Sequence, residues 1–238
     1  MASYICPDRA VEFDGDSAVI VTLGQHIDPQ VNDACIRLGN CLRAANLAGV
    51  RDVVEGYTTV MVHFDLTSGN EKFIEKEIRR LVGDLNGEIG QSQTSLSREV
   101  SLPVCYENEF GPDLGDVAEF ARCTKEEVIR LHTTRTYRVY MLGFQPGFAY
   151  LGSVKAKIAS PRRKTPRIKV AAGSVGIAGR QTGVYPCASP GGWQIIGRCP
   201  VTLIDWTVEN PFLLRAGDRV KFEAVDRLTY DTLLSKLT

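Results

Sequence analysis

The sequence predicts two domains of different class: a small α+β domain over residues 1–90 and a closed or sandwiched β domain over residues 91–238. Three observations predict this. The first 80 or so residues alternate β-branched runs with stretches of helical spacing. Residues 83–97 are drawn from Gly, Asn, Gln, Ser and Thr with few apolar residues, as an exposed connection is. From Thr136 onward, short β-rich runs alternate with Gly and Pro turns.

Taking the elements in order, Ser17–Leu23 is a β-branched strand. Pro29–Ala45 follows as a helix with Val31, Ala34, Cys35, Leu38 and Leu42 on one face. Thr58–Phe64 sets Val60, Val62 and Phe64 against Thr59, Met61 and His63, the alternation of a strand with one solvated face. Glu71–Val82 reads as a charged helix with Phe73, Ile74, Ile78 and Leu81 facing inward. Two helices on a small sheet make an α+β unit.

Beyond the connection, Glu99–Cys105 is a strand and two helices follow. The second opens on a capping box, Thr124 accepting from the amide of Glu127 while that carboxylate reaches back. It turns Val128, Ile129 and Leu131 inward and ends near His132. The expected strands are then 137–142, 174–178, 193–196, 201–206 and 219–223.

Composition narrows the function. Lys+Arg and Asp+Glu both number 28 in 238 residues, so no whole-chain field draws in nucleic acid or a membrane surface. No apolar run reaches the roughly 18 residues of a membrane span. The N-terminus lacks a basic start followed by an apolar stretch, so a cytoplasmic protein is expected. The seven cysteines form no Cys-x-x-Cys pair, and with three histidines and no metal-ligand spacing no bound metal is expected.

The densest chemistry lies in Met141–Gly152, Gly173–Tyr185 and Ser189–Trp193, where glycines, aromatics and cations interleave. Glycines let backbone amides approach a ligand, aromatics give flat walls, and arginines present forked donors to carboxylate or phosphate. The expected product is a glycine-lined pocket for a small anion. Any single glycine reads equally as a barrel-corner turn, and Gly173-x-x-Gly-x-x-Gly179 lacks the ending of a P-loop. The run Pro161–Lys169 carries five positive charges and no negative one, stiffened by two prolines. Arg162 and Arg167 face either a pocket or solvent. His132 is the histidine near these motifs: its place at a helix C-terminus favours the protonated form and a proton-carrying role, or it caps the helix carbonyls. Tyr150, Gln181 and Tyr185 bind a substrate or satisfy core groups, Trp193 is a packing anchor or pocket wall, and Cys187 and Cys199 read as bystander thiols.

These motifs, with Gly56–Asp65, Pro103–Tyr106, Phe110–Leu114 and Gly217-Asp218, resemble the family of B-type 5-oxoprolinase subunits. That family takes in allophanate hydrolase subunit 1-like proteins and a Bacillus sporulation-kinase inhibitor. The resemblance covers nearly the whole chain; Ala171 and Cys199 depart from it where proline and threonine are usual. It implies a C-terminal cyclophilin-like β-barrel behind the α+β domain. It also implies one component of a multi-subunit enzyme that opens 5-oxo-L-proline to L-glutamate with ATP hydrolysis. The partners implied are a homologous C-type chain of 5-oxoprolinase and a lactam-utilisation-type A chain, with ATP and Mg²⁺ brought by the assembled complex. On this resemblance Arg162, Arg167 and Arg180 bind anionic groups; Gly173, Ser174, Gln181 and Tyr185 contact substrate; and His132 and Tyr150 move or orient a proton. The same family admits two other roles, a carboxyltransferase-type component in urea or allophanate metabolism and a histidine-kinase inhibitor.

Overall fold

The computed structural model describes residues 10–88 and 98–236. The chain divides into two compact units, Met1–Leu96 and Ser97–Thr238.

The N-terminal unit is a four-stranded antiparallel sheet of β1 (Val11–Phe13), β2 (Ala18–Thr22), β3 (Val50–Glu55) and β4 (Thr59–Phe64) in the order β1-β2-β4-β3. Helices α1 (Pro29–Ala45) and α2 (Glu71–Glu88) pack with it. Asp28 caps α1, accepting from the amides of Gln30 at 2.7 Å and Val31 at 3.3 Å, and Pro29 pre-sets the first turn. As the spacing predicts, Ala34, Cys35, Leu38 and Leu42 meet Val60, Val62 and Phe64 in the core.

Three features of this unit depart from what the sequence predicts. Strands β1 and β3 are additional, the first only three residues long and the second carrying Arg51, Asp52 and Glu55. Phe73 is 52% exposed, because the buried stripe of α2 runs Ile74, Ile78, Val82, Leu85 and leaves Phe73 a helical step away. The helix also runs on to Glu88, so residues 83–88 are helical where a connection is expected. Leu85 is core, and the Arg80–Asp84 pair at 2.8 Å supports the same turn. The rest of the expected connection, up to residue 97, lies outside the described residues.

The C-terminal unit is a closed seven-stranded barrel ordered β10-β7-β6-β13-β5-β12-β9. Its strands are β5 (Glu99–Cys105), β6 (Thr136–Leu142), β7 (Ala149–Gly152), β9 (Ser174–Ala178), β10 (Gln181–Val184), β12 (Gln194–Arg198) and β13 (Arg219–Val225). Every neighbouring pair is antiparallel except β5 beside β13. A separate ribbon joins β8 (Arg167–Val170) to β11 (Ser189–Gly191). Residues of the barrel strands such as Leu102, Val139, Leu151, Ile177 and Phe222 share one core with α3 (Leu114–Ala121) and α4 (Lys125–Thr133). Helix α5 (Arg227–Ser235) closes the described chain.

Two further expectations fail here. Residues 201–206 form no strand beyond an isolated bridge between Ile204 and Phe212. The Asp205 carboxylate takes the Thr207 amide at 2.9 Å and hydroxyl at 2.6 Å, a side-chain turn that ends the extended run. The capping box of α4 is half made: Thr124 accepts from the Glu127 amide at 3.2 Å, but the Glu127 carboxylate is held by both forks of Arg130 at 2.7 and 2.8 Å.

Candidate functional site

The basic loop between Pro161 and Arg167 is organised by a residue whose role the sequence reading passes over. Asp113, 1% exposed, accepts from Arg163 at 2.8 Å and from both arms of Arg167 at 2.7 and 2.8 Å. Its Oδ2 also accepts the amide of Ile195 at 2.6 Å. The fork of Arg167 is thereby engaged by a buried carboxylate. Arg162 lies between these anchors, is exposed, and has no carboxylate partner among the described residues.

Beside Arg162 stands an aromatic wall. Phe148 packs edge-on against Tyr150 (5.0 Å), Tyr185 (5.3 Å) and Trp193 (5.3 Å). The wall has its own buried cluster with Val170, Ala178 and Ile195, separate from the barrel core. Burial pushes the phenols of Tyr150 and Tyr185 up; the Arg162 charge pulls Tyr150 the other way, and at Tyr185 the Trp193 backbone amide and then the Arg162 charge do so. Both therefore remain O–H donors at neutral pH. Phe144 covers the edge of Phe148 and Tyr185 while 62% exposed, in a left-handed conformation (φ 70°) uncommon outside glycine. Next to it the Nε2 of Gln145 is buried without a partner, while its Oε1 meets the exposed Cys187 thiol at 3.4 Å.

Of the glycines in these motifs, Gly173 and Gly183 are required by packing, whereas Gly179 has nothing within 4 Å of where its Cβ would be. Gly173 has φ +76°, and a Cβ there would lie 2.3 Å from the Cys199 carbonyl oxygen. Gly183 faces the Ala149 carbonyl, 2.8 Å from where its Cβ would be. The polar groups of the Gly173 and Ser174 backbone bond to Tyr185, Cys199 and Ala171, and the Ser174 side chain is buried, so neither is presented to a ligand. Arg180 is exposed in the turn between β9 and β10. The amide of Gly179 beside it bonds Ser160 at 2.7 Å, which brings that turn to the start of the basic loop. Gln181 begins β10 opposite Gly152.

His132 is corrected most fully. It is wholly buried in the barrel unit and stacks on Phe222 at 4.5 Å. Thr182 donates its hydroxyl to the Gly176 carbonyl at 2.9 Å, so towards His132 it accepts from Nε2–H, also at 2.9 Å. Nδ1 is then the acceptor for the Tyr106 hydroxyl at 2.8 Å. Burial pushes the imidazole down to about 3, against the protonated form that a helix C-terminus favours.

The structure thus brings together Tyr150, Arg162, Tyr185 and Trp193, with Arg180 and Gln181 on the adjoining hairpin, and leaves His132, Gly173 and Ser174 in the scaffold. The role of Asp113 escapes the sequence reading because a lone Asp before a helix looks like an N-cap. A cleft of about 510 Å³ also opens on this unit between Tyr106, Asn108, Lys125, Glu126 and Asp226, and none of the expected site residues lines it. Among the described residues, no group of three or more His, Cys, Asp or Glu side chains is placed to hold a metal ion.

A family model described as carboxyltransferase domain, subdomain C and D, matches residues 10–214. The chain is 40% identical over 226 residues to the B-type subunit of 5-oxoprolinase from Bacillus subtilis (strain 168), covering 92% of this chain and 94% of the relative. The solved structure of TTHA0988 superimposes with a TM-score of 0.75 at 34% identity, over 88% of this chain; the chain spans 40% of that longer polypeptide. The urea amidolyase of K. lactis shares the fold, with a TM-score of 0.76 at 20% identity over 95% of this chain and 15% of that one.

Proposed function

This chain belongs to the carboxyltransferase subdomain C and D family, and we propose that it serves as the B-type subunit of an ATP-hydrolysing 5-oxoprolinase. The observation that carries the reading is Arg162, an exposed guanidinium without a carboxylate partner among the described residues, beside two phenols and an indole. That set matches 5-oxo-L-proline: a carboxylate for the arginine fork, a lactam C=O for the half-buried Tyr150 hydroxyl, and a small ring beside an aromatic cluster.

The lactam is a stable amide. ATP, with Mg²⁺, would supply the chemistry in the assembled complex with C-type and A-type subunits: transfer of its γ-phosphoryl group to the lactam oxygen, releasing ADP, would activate the carbonyl carbon towards water, with the C–N bond opening and phosphate leaving to give glutamate. Within this chain the work is binding and orientation. Arg162 holds the carboxylate and the half-buried Tyr150 donates to the lactam, while the buried Tyr185, Phe148 and Trp193 hold Tyr150 in place from behind. Arg180 and Gln181 lie on the hairpin that borders the loop.

The test is reconstitution with the partner subunits, following ADP release as a function of 5-oxoproline. Arg162→Ala should raise KM about tenfold or more with little change in kcat, the pattern of lost ground-state binding. An assembled complex that turned over no 5-oxoproline would end the reading.

A further inference from the structure

Asp113 occupies the N-cap position of α3, yet its side chain makes no capping bond to that helix. Its two oxygens instead take four donors from two distant segments, Arg163 and Arg167 on the basic loop and the amide of Ile195 on β12. The backbone is tied to the same place: the Asp113 amide donates to the Ile195 carbonyl at 2.9 Å. Ile195 lies on β12 two residues beyond Trp193, so one residue ties the loop to the strand that directly follows the indole.

The peptide units on either side of Arg162 are pinned as well. The Pro161 carbonyl accepts from the Gln194 side chain at 3.0 Å, and the Arg163 amide donates to the Gly192 carbonyl at 2.7 Å. Arg162 is therefore held in place by its neighbours while its own guanidinium is left uncommitted. Charge follows the same division: one buried carboxylate is shared by Arg163 and Arg167, and Arg162 alone of the loop's three arginines has no such partner among the described residues.

We infer that Asp113 is a positioning residue for the substrate site: it draws Arg163 and Arg167 inward and so sets Arg162 against Tyr150, Tyr185 and Trp193. This inference rests on the reading of Arg162 as the carboxylate anchor. Asp113 touches no substrate; it acts through Arg162. Asparagine at 113 keeps the shape and an acceptor for Ile195, but it turns an NH₂ group or a neutral oxygen toward the two guanidinium groups and releases the loop.

The experiment is a double-mutant cycle in the reconstituted complex at saturating ATP, reading KM and kcat for 5-oxoproline in the wild type, Asp113→Asn, Arg162→Ala and the pair. Each single change should raise KM about tenfold with kcat held within about threefold, and the double mutant should show the KM of Arg162→Ala alone. If the two effects multiply, Asp113 acts on general stability rather than through Arg162, and the inference is overturned. A wild-type KM in Asp113→Asn, beside a raised KM in Arg162→Ala, overturns it while leaving the functional reading intact. An unchanged KM in Arg162→Ala removes the anchor itself and the inference with it. Should Asp113→Asn fail to enter the complex, Arg167→Lys serves in its place. That variant keeps the charge but not the two-armed grip on Asp113, and the same pattern of KM values is expected or refutes.

Discussion

Buried neutral His132 makes the stability of the barrel unit depend on pH. In the unfolded chain an imidazole takes its proton near pH 6.5, whereas in the fold burial pushes it down to about 3. Between those values the unfolded state holds one proton more than the native state, so stability is full above pH 6.5 and falls as pH drops. One proton corresponds to about 1.4 kcal/mol per pH unit once titration is under way, or about 2 kcal/mol between pH 7.5 and pH 5.0. The perturbation that isolates it is His132→Gln, whose amide offers one donor and one acceptor to Thr182 and Tyr106 but does not titrate. Losing the ring contact with Phe222 and ideal hydrogen-bond geometry should cost about 1–3 kcal/mol at pH 7.5. The chain's two tryptophans, Trp193 and Trp206, both lie in this unit, so their fluorescence in urea reports on it selectively. The wild type should lose about 2 kcal/mol more than the variant between pH 7.5 and 5.0. Parallel curves would refute the neutral, Nε2-protonated assignment and return His132 to the candidates for proton transfer.

Three further outcomes follow from the same structure. Gly173→Ala places a Cβ 2.3 Å from the Cys199 carbonyl oxygen at a φ of +76°; it should cost roughly 2 kcal/mol or more, read as an earlier urea midpoint in tryptophan fluorescence, and an unchanged midpoint counts against the packing role of this glycine. Asp28→Ala removes the acceptor for the amides of Gln30 and Val31; about 1 kcal/mol should be lost from the N-terminal unit, measured by far-UV circular dichroism, and no loss would mean that the cap is not made in solution. In the native protein a thiol reagent should label Cys41 and Cys187, which are exposed, and spare Cys35 and Cys199, which are buried and pushed up to about 12. Rapid native labelling of Cys199 would contradict the packing around β12.

Periodicity reveals the parts of the fold whose burial is one-sided. Helix α1 appears at its full extent, and the alternation of Val60, Val62 and Phe64 is reproduced in β4. It fails where burial has no period or where a side chain overrides the backbone: β3 is too charged to read as a strand, and Asp205 turns a β-rich run into a loop. In the proposed site, Tyr150, Arg162, Tyr185 and Trp193 are singled out because aromatic and cationic residues cluster in sequence, and the three aromatics pack together in the fold. Asp113 falls in the Phe110–Leu114 motif, but its role is not legible there, since its partners lie 50, 54 and 82 residues away. His132 misleads for the converse reason. Its local position at a helix end points to a charged imidazole, and only the tertiary core reveals the desolvation that outweighs the helix dipole.

That reversal bears on what this chain contributes to lactam opening. A general acid or base working near neutral pH needs a group that titrates there. His132 is locked neutral in the core, the Tyr150 and Tyr185 phenols are pushed up, and Cys199 is pushed up to about 12. What the proposed site offers instead is an exposed cation at Arg162 and the half-buried phenol of Tyr150 in front of a buried aromatic cluster, a set suited to holding an anion in one orientation. On the proposed function, then, the B-type subunit orients the substrate while proton movement is assigned to its partners. The two roles separate experimentally: variants of Arg162, Tyr150 and Tyr185 should change KM for 5-oxoproline but leave the pH dependence of kcat as it is in the wild type. A shifted kcat profile in Tyr150→Phe or Tyr185→Phe would place a proton-transfer group on this chain and overturn the division.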